Sequence, residues 1–139
     1  MTYAKWDGAE VIYSLRNSDN LANKIANELS KTGQNIWKVY QRKLPSNPSQ
    51  DYYYILRDTP NNESLIIEYG FADSNGDDVE LIKNHYEELA EAVVKAVADY
   101  LGVAYFWILI VIILILFKEG IVYGKLLSNF RLILFKKII

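Results

Sequence analysis

The 139-residue sequence has no cysteine, one histidine and three prolines. The absence of cysteine excludes disulfides, thiolate metal sites and cysteine nucleophiles. The single histidine, His85, has Glu88 three residues after it, but a catalytic zinc site needs about three protein ligands that converge on one open position. We therefore interpret His85 as a surface residue of a helix rather than as a metal ligand.

Several short motifs of known chemistry are also missing. The sequence contains no GxSxG nucleophile motif, no P-loop and no glycine fingerprint of dinucleotide binding. Asp73, Asp77 and Asp78 invite comparison with a calcium loop, but they lack the twelve-residue spacing and terminal glutamate of an EF-hand. We expect these aspartates to cap a loop. The N-terminal stretch "MTYAKWDGAE" has no apolar core of a secretory signal.

Charge is divided unevenly along the chain. Residues 1–117 contain ten Lys and Arg against sixteen Asp and Glu, whereas residues 118–139 contain five basic residues and one acidic residue. An acidic body is a poor candidate for a nucleic-acid partner, because phosphate neutralisation supplies most of that affinity. A basic tail that follows an apolar run indicates a membrane instead.

The apolar run, residues 100–117, has no charged residue and includes "WILIVIILILF". As a helix it would be about 27 Å long, against a hydrocarbon core of about 30 Å. A membrane segment and a buried core segment are both compatible with this pattern, as is a peptide read out of frame. In the first case the positive-inside rule places residues 118–139 in the cytoplasm. We predict two parts, 1–102 and 103–139, the second being a hydrophobic helix with a basic tail.

Residue patterns in the first part predict an α/β fold with a partial mixed or parallel sheet flanked by helices. The "LII" run indicates a central strand. Apolar residues at helical spacing predict a helix that is capped by Asn17 or Ser18 and ends at Gly33, with Leu21, Ala22, Ile25, Ala26 and Leu29 on its buried face. The other predicted segments are strands at 9–15, 35–42, 52–57 and 64–71, a loop at 43–51 and a helix at 79–101.

A carboxylate, Glu68, stands at the end of the strand "SLIIEYGF". Open α/β sheets place their ligand crevice at such strand ends, and partial burial beside Tyr69 and Phe71 would raise the pKa of Glu68 toward that of a general base. The alternative is an ion pair between Glu68 and Arg57 on a neighbouring strand. The residue pattern leaves both interpretations open.

Three stretches carry a resemblance to a known family: "GAEVIYSLRNSDNLANKIANEL", "YYYILRDTPNNESLIIEYGFADSNGDD" and "LAEAVVKAVADYLGV". From about residue 8 to 103 the chain resembles the C-terminal half of a zinc-dependent N-acetylmuramoyl-L-alanine amidase, of the amidase 3 type found in autolysins and phage endolysins. The resemblance implies peptidoglycan as the partner, Glu68 as the catalytic glutamate and a supporting, substrate-facing role for Arg57.

The same resemblance implies that zinc is bound by two histidines and a glutamate upstream of the matching region. No residue of this chain corresponds to those ligands, so we expect a truncated form that does not bind zinc and is inactive. A non-enzymatic, membrane-anchored or wall-binding remnant is the alternative, and a split enzyme completed by another polypeptide is a third. The expected location is the cell wall or extracellular face, or the cytoplasm until lysis for a prophage lysin.

Overall fold

The structure is a computed structural model that describes residues 7–74 and 76–106. These residues comprise the compact unit that ends at Gly102 and the first four residues of the unit that follows. In chain order the elements are β1 (Ala9–Tyr13), α1 (Asn20–Ser30), β2 (Ile36–Tyr40), β3 (Lys43–Leu44), β4 (Asn47–Asp51), α2 (Tyr54–Arg57), β5 (Leu65–Glu68), α3 (Asp78–Asn84) and α4 (Tyr86–Tyr100).

A three-stranded mixed sheet, in the order β2-β1-β5, forms the centre of the unit. The central strand β1 pairs in parallel with β2 and antiparallel with β5. The burial of β1 is almost complete, as expected for a strand that is covered on both faces. The predicted α/β class with a mixed sheet and flanking helices is confirmed.

The helix α1 packs against one face of the sheet through the side chains that its apolar periodicity predicted. All five of these residues are buried, and they share a core with Ala9 and Val11 of β1 and with the apolar stripe of α4. Asp19, not Asn17 or Ser18, is the residue that precedes the helix. The helix ends at Ser30 with Lys31 as its C-cap, so Gly33, whose φ is +93°, lies one residue beyond the C′ position predicted for it.

The segment from 43 to 57 differs from its prediction in both halves. The predicted loop 43–51 contains the hairpin of β3 and β4, and the predicted strand 52–57 contains the one-turn helix α2. In α2 the amides of Leu56 and Arg57 donate to the Tyr53 carbonyl, so they are satisfied locally and not by a neighbouring strand. Of the four helix residues only Leu56 is buried. The β-propensity of three successive tyrosines is thus overridden by tertiary context.

Two further predictions about elements are wrong. The predicted helix 79–101 is interrupted at His85, whose φ of −128° and ψ of 22° are not helical, so that α3 and α4 are separate. The strand β5 is not central: among the described strands it lies at one edge of the sheet, with β1 as its neighbour. Its apolar run still serves packing, since Leu65 and Ile67 contact the core.

Most of the predicted hydrophobic part, 103–139, lies outside the described residues, and the division into two parts stays a prediction. Within 7–74 and 76–106, no helix has the length and apolar character needed to cross a bilayer.

Candidate active site

Glu68 is the last residue of β5, and its position follows from the register of that strand. In the antiparallel pairing with β1, Glu68 lies directly opposite Glu10. Side chains alternate between the faces of a strand, and Val11 and Ile67 face the helices. Glu10 and Glu68 therefore project from the other face, where directly opposite residues have Cβ atoms about 5 Å apart.

The two carboxyl groups have different environments. Glu68 is exposed, which corrects the prediction that Tyr69 and Phe71 would partly bury it. Glu10 is only 6% exposed, and its Oε1 atom is buried without a hydrogen-bond partner among the described residues. Burial raises the pKa of Glu10, and the negative charge of Glu68 raises it further, while Lys38 and a hydrogen bond with Tyr40 act in the opposite direction. Burial of Glu10 and the charge of Glu68 thus both favour the protonated form of Glu10.

Aromatic side chains extend the site from Glu10 toward α2. Burial raises the pKa of Tyr40, and a hydrogen bond with Tyr53 and the charge of Glu10 raise it further. Tyr53 makes an edge-to-face contact with Tyr52, with ring centroids 5.1 Å apart. The Arg42 guanidinium lies 3.8 Å from the centroid of the Tyr52 ring, within range of a cation–π interaction. Three phenols and a guanidinium thus extend from the pair of carboxyl groups toward α2.

Arg57 does not pair with Glu68. It lies on α2 and not on a strand, and its Nη1 atom donates to the carbonyl oxygens of Asp51 (2.8 Å) and Tyr52 (2.7 Å). The predicted ion pair across neighbouring strands is therefore wrong, because the segment that carries Arg57 joins no sheet. Together with Arg16 and Asp51, Arg57 lines an open cavity of about 310 Å³. The substrate-facing role of Arg57 stays a prediction.

A second arginine organises the loop that leads into β5. Arg16 donates to the carbonyl oxygens of Leu56 (2.7 Å) and Thr59 (2.6 Å), and also to the Ser64 hydroxyl (3.2 Å). Its Nη1 atom lies 3.6 Å from the buried carboxylate of Asp51. This planar fork fixes the segment between α2 and β5 against the end of β1.

The end of β5 is held by a buried carboxylate, Asp78, which is 1% exposed. Its oxygens accept hydrogen bonds from the amides of Gly8 (3.0 and 3.1 Å) and Phe71 (2.8 Å) and from Nε2 of Gln34 (2.8 Å). The expectation that Asp78 caps a loop is therefore incomplete, because this side chain joins the starts of β1 and α3 to the residues that follow Glu68. A Cβ atom at Gly70 would lie 2.6 Å from Asp78 Cγ, so the backbone passes close to this carboxylate.

A zinc centre does not fit the described side chains. Within 7–74 and 76–106, no group of three or more His, Cys, Asp or Glu residues could hold a metal ion. His85 is about half exposed, and its Nδ1 atom lies 3.3 Å from the Glu88 carboxylate, consistent with a surface residue. It lies between two helices and not within one.

The fold and the site define an α/β domain whose sheet carries an exposed glutamate at a strand end. A family model of N-acetylmuramoyl-L-alanine amidases matches residues 1–99. The chain belongs to this family, whose members act on peptidoglycan and are zinc-dependent. No curated protein and no solved structure matches the chain significantly.

Glu68 is recognisable as a candidate from the sequence, whereas Glu10, Tyr40 and Tyr53 are not. The sequence does contain one indication for Glu10: it is a charged residue inside the strand "AEVIY", and the other residues of that strand are apolar or aromatic. Such a residue needs a compensating partner when it is buried. The identity of that partner depends on the pairing of β1 with β5, which lies far away in sequence.

Proposed function

We propose that this chain supplies the proton-accepting half of an amidase site that cleaves the bond between N-acetylmuramic acid and the L-alanine of the stem peptide. In this proposal the Glu68 carboxylate accepts a proton from the attacking water. The water oxygen bonds to the carbonyl carbon, the C–N bond breaks, and the L-alanine nitrogen leaves with a proton. The observation that carries the proposal is the exposed carboxylate at the end of β5 in a chain of this family.

We also propose that the chain on its own neither binds zinc tightly nor cleaves muropeptides. Zinc in this family supplies an activated water and a polarised carbonyl. The sequence has one histidine and no cysteine, and the described residues offer no set of three ligands. Zinc ligands would therefore have to come from residues other than these.

The experiment has two arms. In the first, the full chain is titrated with zinc by calorimetry and assayed for release of L-alanine-linked peptides from purified sacculi. We expect neither tight binding nor release. Robust zinc-dependent cleavage by the chain alone would contradict its proposed inactivity, and retention on sacculi without cleavage would support a role in wall binding.

The second arm adds a polypeptide that carries the zinc-ligand half of an amidase of this family. If the halves form an active site, Glu68→Gln should lower the rate of cleavage at least about 100-fold, which is a typical contribution of a general base. Glu87→Gln is the matched control, because Glu87 is an exposed glutamate on α4. Equal activity of the Glu68→Gln and Glu87→Gln chains would refute the role of Glu68.

For location, we propose the extracellular face of the membrane, with residues 100–117 as an anchor. The apolar character of this run and the basic residues after it support the proposal. Resistance of the chain to alkaline extraction from membranes would agree with it, whereas recovery in the soluble fraction until lysis would favour the prophage alternative.

A further inference from the structure

We propose that Glu10 is a positioning residue for Glu68: its carboxyl group stays protonated while Glu68 is ionised, and it donates a hydrogen bond that holds the Glu68 carboxylate at the end of β5. The description of Glu68 as a base rests on the proposed function. The protonation of Glu10 and its hydrogen bond to Glu68 are argued from the structure and do not depend on the proposed function.

The first argument is the register. Glu10 and Glu68 are directly opposite on adjacent antiparallel strands, where two negative charges repel each other. Carboxyl groups that share a site avoid this repulsion when one of them is protonated, and the protonated group becomes a hydrogen-bond donor. The pair therefore has a natural arrangement with one proton and one charge.

The second argument is the unequal burial, which decides where the proton lies. Glu68 is solvated, whereas Glu10 is more than nine-tenths buried and its Oε1 atom has no partner among the described residues. An ionised Glu10 would leave a negative oxygen without water and without a donor, which is costly in a protein interior. The cost is much smaller for a neutral Glu10, because an uncharged oxygen without a partner is less expensive to bury than a charged one.

The third argument is the set of charged and titratable groups that surround Glu10. Glu68 on β5 opposes ionisation of Glu10, while Lys38 and Tyr40 on β2 favour it. Tyr40 is itself hydrogen-bonded to Tyr53. Lys38 is exposed, and its Nζ atom lies 3.9 Å from the centroid of the Trp37 ring. The charge of Glu68 has the larger effect of the two on the pKa of Glu10, and burial of Glu10 acts in the same direction as Glu68.

The test is a titration of the side-chain carboxyl resonances in the full chain labelled with ¹³C-glutamate. In the unsubstituted chain we expect Glu10 to titrate above 4.5, the ordinary pKa of glutamate. Glu68→Gln should shift the titration of Glu10 to lower pH, because the nearby negative charge is removed. Lys38→Met should shift it to higher pH, and Glu87→Gln should leave it unchanged.

Glu68→Gln and Lys38→Met are expected to shift the titration of Glu10 in opposite directions, so a general loss of folding cannot produce the same result. The proposal is overturned if Glu10 titrates at or below the ordinary value of 4.5, or if Glu68→Gln has no more effect than Glu87→Gln. Because this measurement needs no catalysis, it can fail or succeed independently of the proposed amidase activity.

In the reconstituted enzyme, the two substitutions Glu10→Gln and Glu10→Met separate positioning from packing. Glutamine keeps a neutral donor, and we expect most of kcat to be retained. Methionine keeps the volume without a donor, and we expect kcat to fall about tenfold with little change in KM, as for the loss of one hydrogen bond. Equal losses for both variants would overturn the donor role. Failure of the unsubstituted halves to cleave would count against the proposed function alone.

Discussion

Replacement of Asp78 by alanine is the perturbation that most directly tests how the fold holds its candidate site. The carboxylate is buried and accepts hydrogen bonds from Gly8, Phe71 and Gln34. Gly8 precedes β1 and Phe71 follows β5, so one side chain fastens both strands that carry the paired glutamates. Alanine would remove the acceptor of the Gly8 and Phe71 amides and one of the two acceptors of Gln34 Nε2, the other being the Tyr69 carbonyl oxygen.

The magnitude follows from these three donors. A hydrogen bond to a charged group contributes about 1.5–3 kcal/mol, and part of that sum is returned because a carboxylate no longer has to be desolvated. We therefore expect Asp78→Ala to lower the free energy of unfolding by about 3–5 kcal/mol. Since a domain of this size has about 5–15 kcal/mol in total, the variant would be close to unfolding. Asp78→Asn keeps one acceptor oxygen and should cost less than alanine.

The assay is urea unfolding of the full chain, followed by far-UV circular dichroism, with stability taken from midpoints at a constant m-value. Asp77→Ala is the matched control, because Asp77 is exposed and makes no capping hydrogen bond with its side chain. It should change stability by less than about 0.5 kcal/mol. The reasoning is refuted if Asp78→Ala costs under about 1 kcal/mol, or if Asp77→Ala costs as much.

Three further predictions use the same unfolding assay. Gly8→Ala should lower the free energy of unfolding more than Gly33→Ala. Both residues have positive φ, but a Cβ atom at Gly8 would lie 2.8 Å from the Asn35 carbonyl oxygen, whereas a Cβ atom at Gly33 would have nothing within 4 Å. Equal losses of stability would refute the contact argument. Arg16→Lys should cost about 1–2 kcal/mol because lysine cannot reproduce the guanidinium fork, whereas Lys31→Met, which removes an exposed partner of Glu28, should cost less than about 0.5 kcal/mol. The folded-state pKa of Glu10 is raised, so the contribution of Glu10 to stability is present below about pH 4.5, the ordinary value, and is lost as pH rises through the folded-state pKa. The Glu10→Gln chain should not lose stability in this way. Parallel pH profiles of stability for the two chains would contradict the assignment.

Local periodicity predicted the parts of the fold that depend on neighbouring residues. The buried face of α1 was recognisable because Leu21, Ile25 and Leu29 recur at helical spacing, and the structure buries all three. The break at His85 was not recognisable, since apolar residues continue on both sides of it. Only the backbone angles of His85 show that α3 and α4 are separate.

The segment 43–57 shows the limit of composition. Prolines, serines and asparagines predict a loop at 43–51, yet β3 and β4 pair there, and a tyrosine-rich run that favours a strand contains α2. The Tyr52 amide donates to the Arg42 carbonyl oxygen at 2.7 Å, and the guanidinium of Arg42 lies over the Tyr52 ring. These contacts link residues ten positions apart, so residue propensity alone could not anticipate them.

The candidate site shows why one of its two carboxylates was found and the other was not. Glu68 interrupts an apolar run at its end, so it was visible within a short window of sequence. Glu10 becomes significant only through its register with β5, and register is decided by which faces of both strands are buried. A shift of the pairing by one residue would place Glu68 on the face toward the helices and separate the pair.

The same register connects stability with chemistry. Val11 and Ile67 contact the helices, while Glu10 and Glu68 occupy the alternate positions of the same two strands. The apolar contacts on one face thus hold two acidic groups together on the other, even though those groups repel each other when both are ionised. Retention of one proton on Glu10 removes this conflict without any change in the apolar core. On this reasoning, the proton is part of the folded structure and not only of the chemistry, so the pH dependence of stability and the titration of Glu10 should change together in the Glu68→Gln chain.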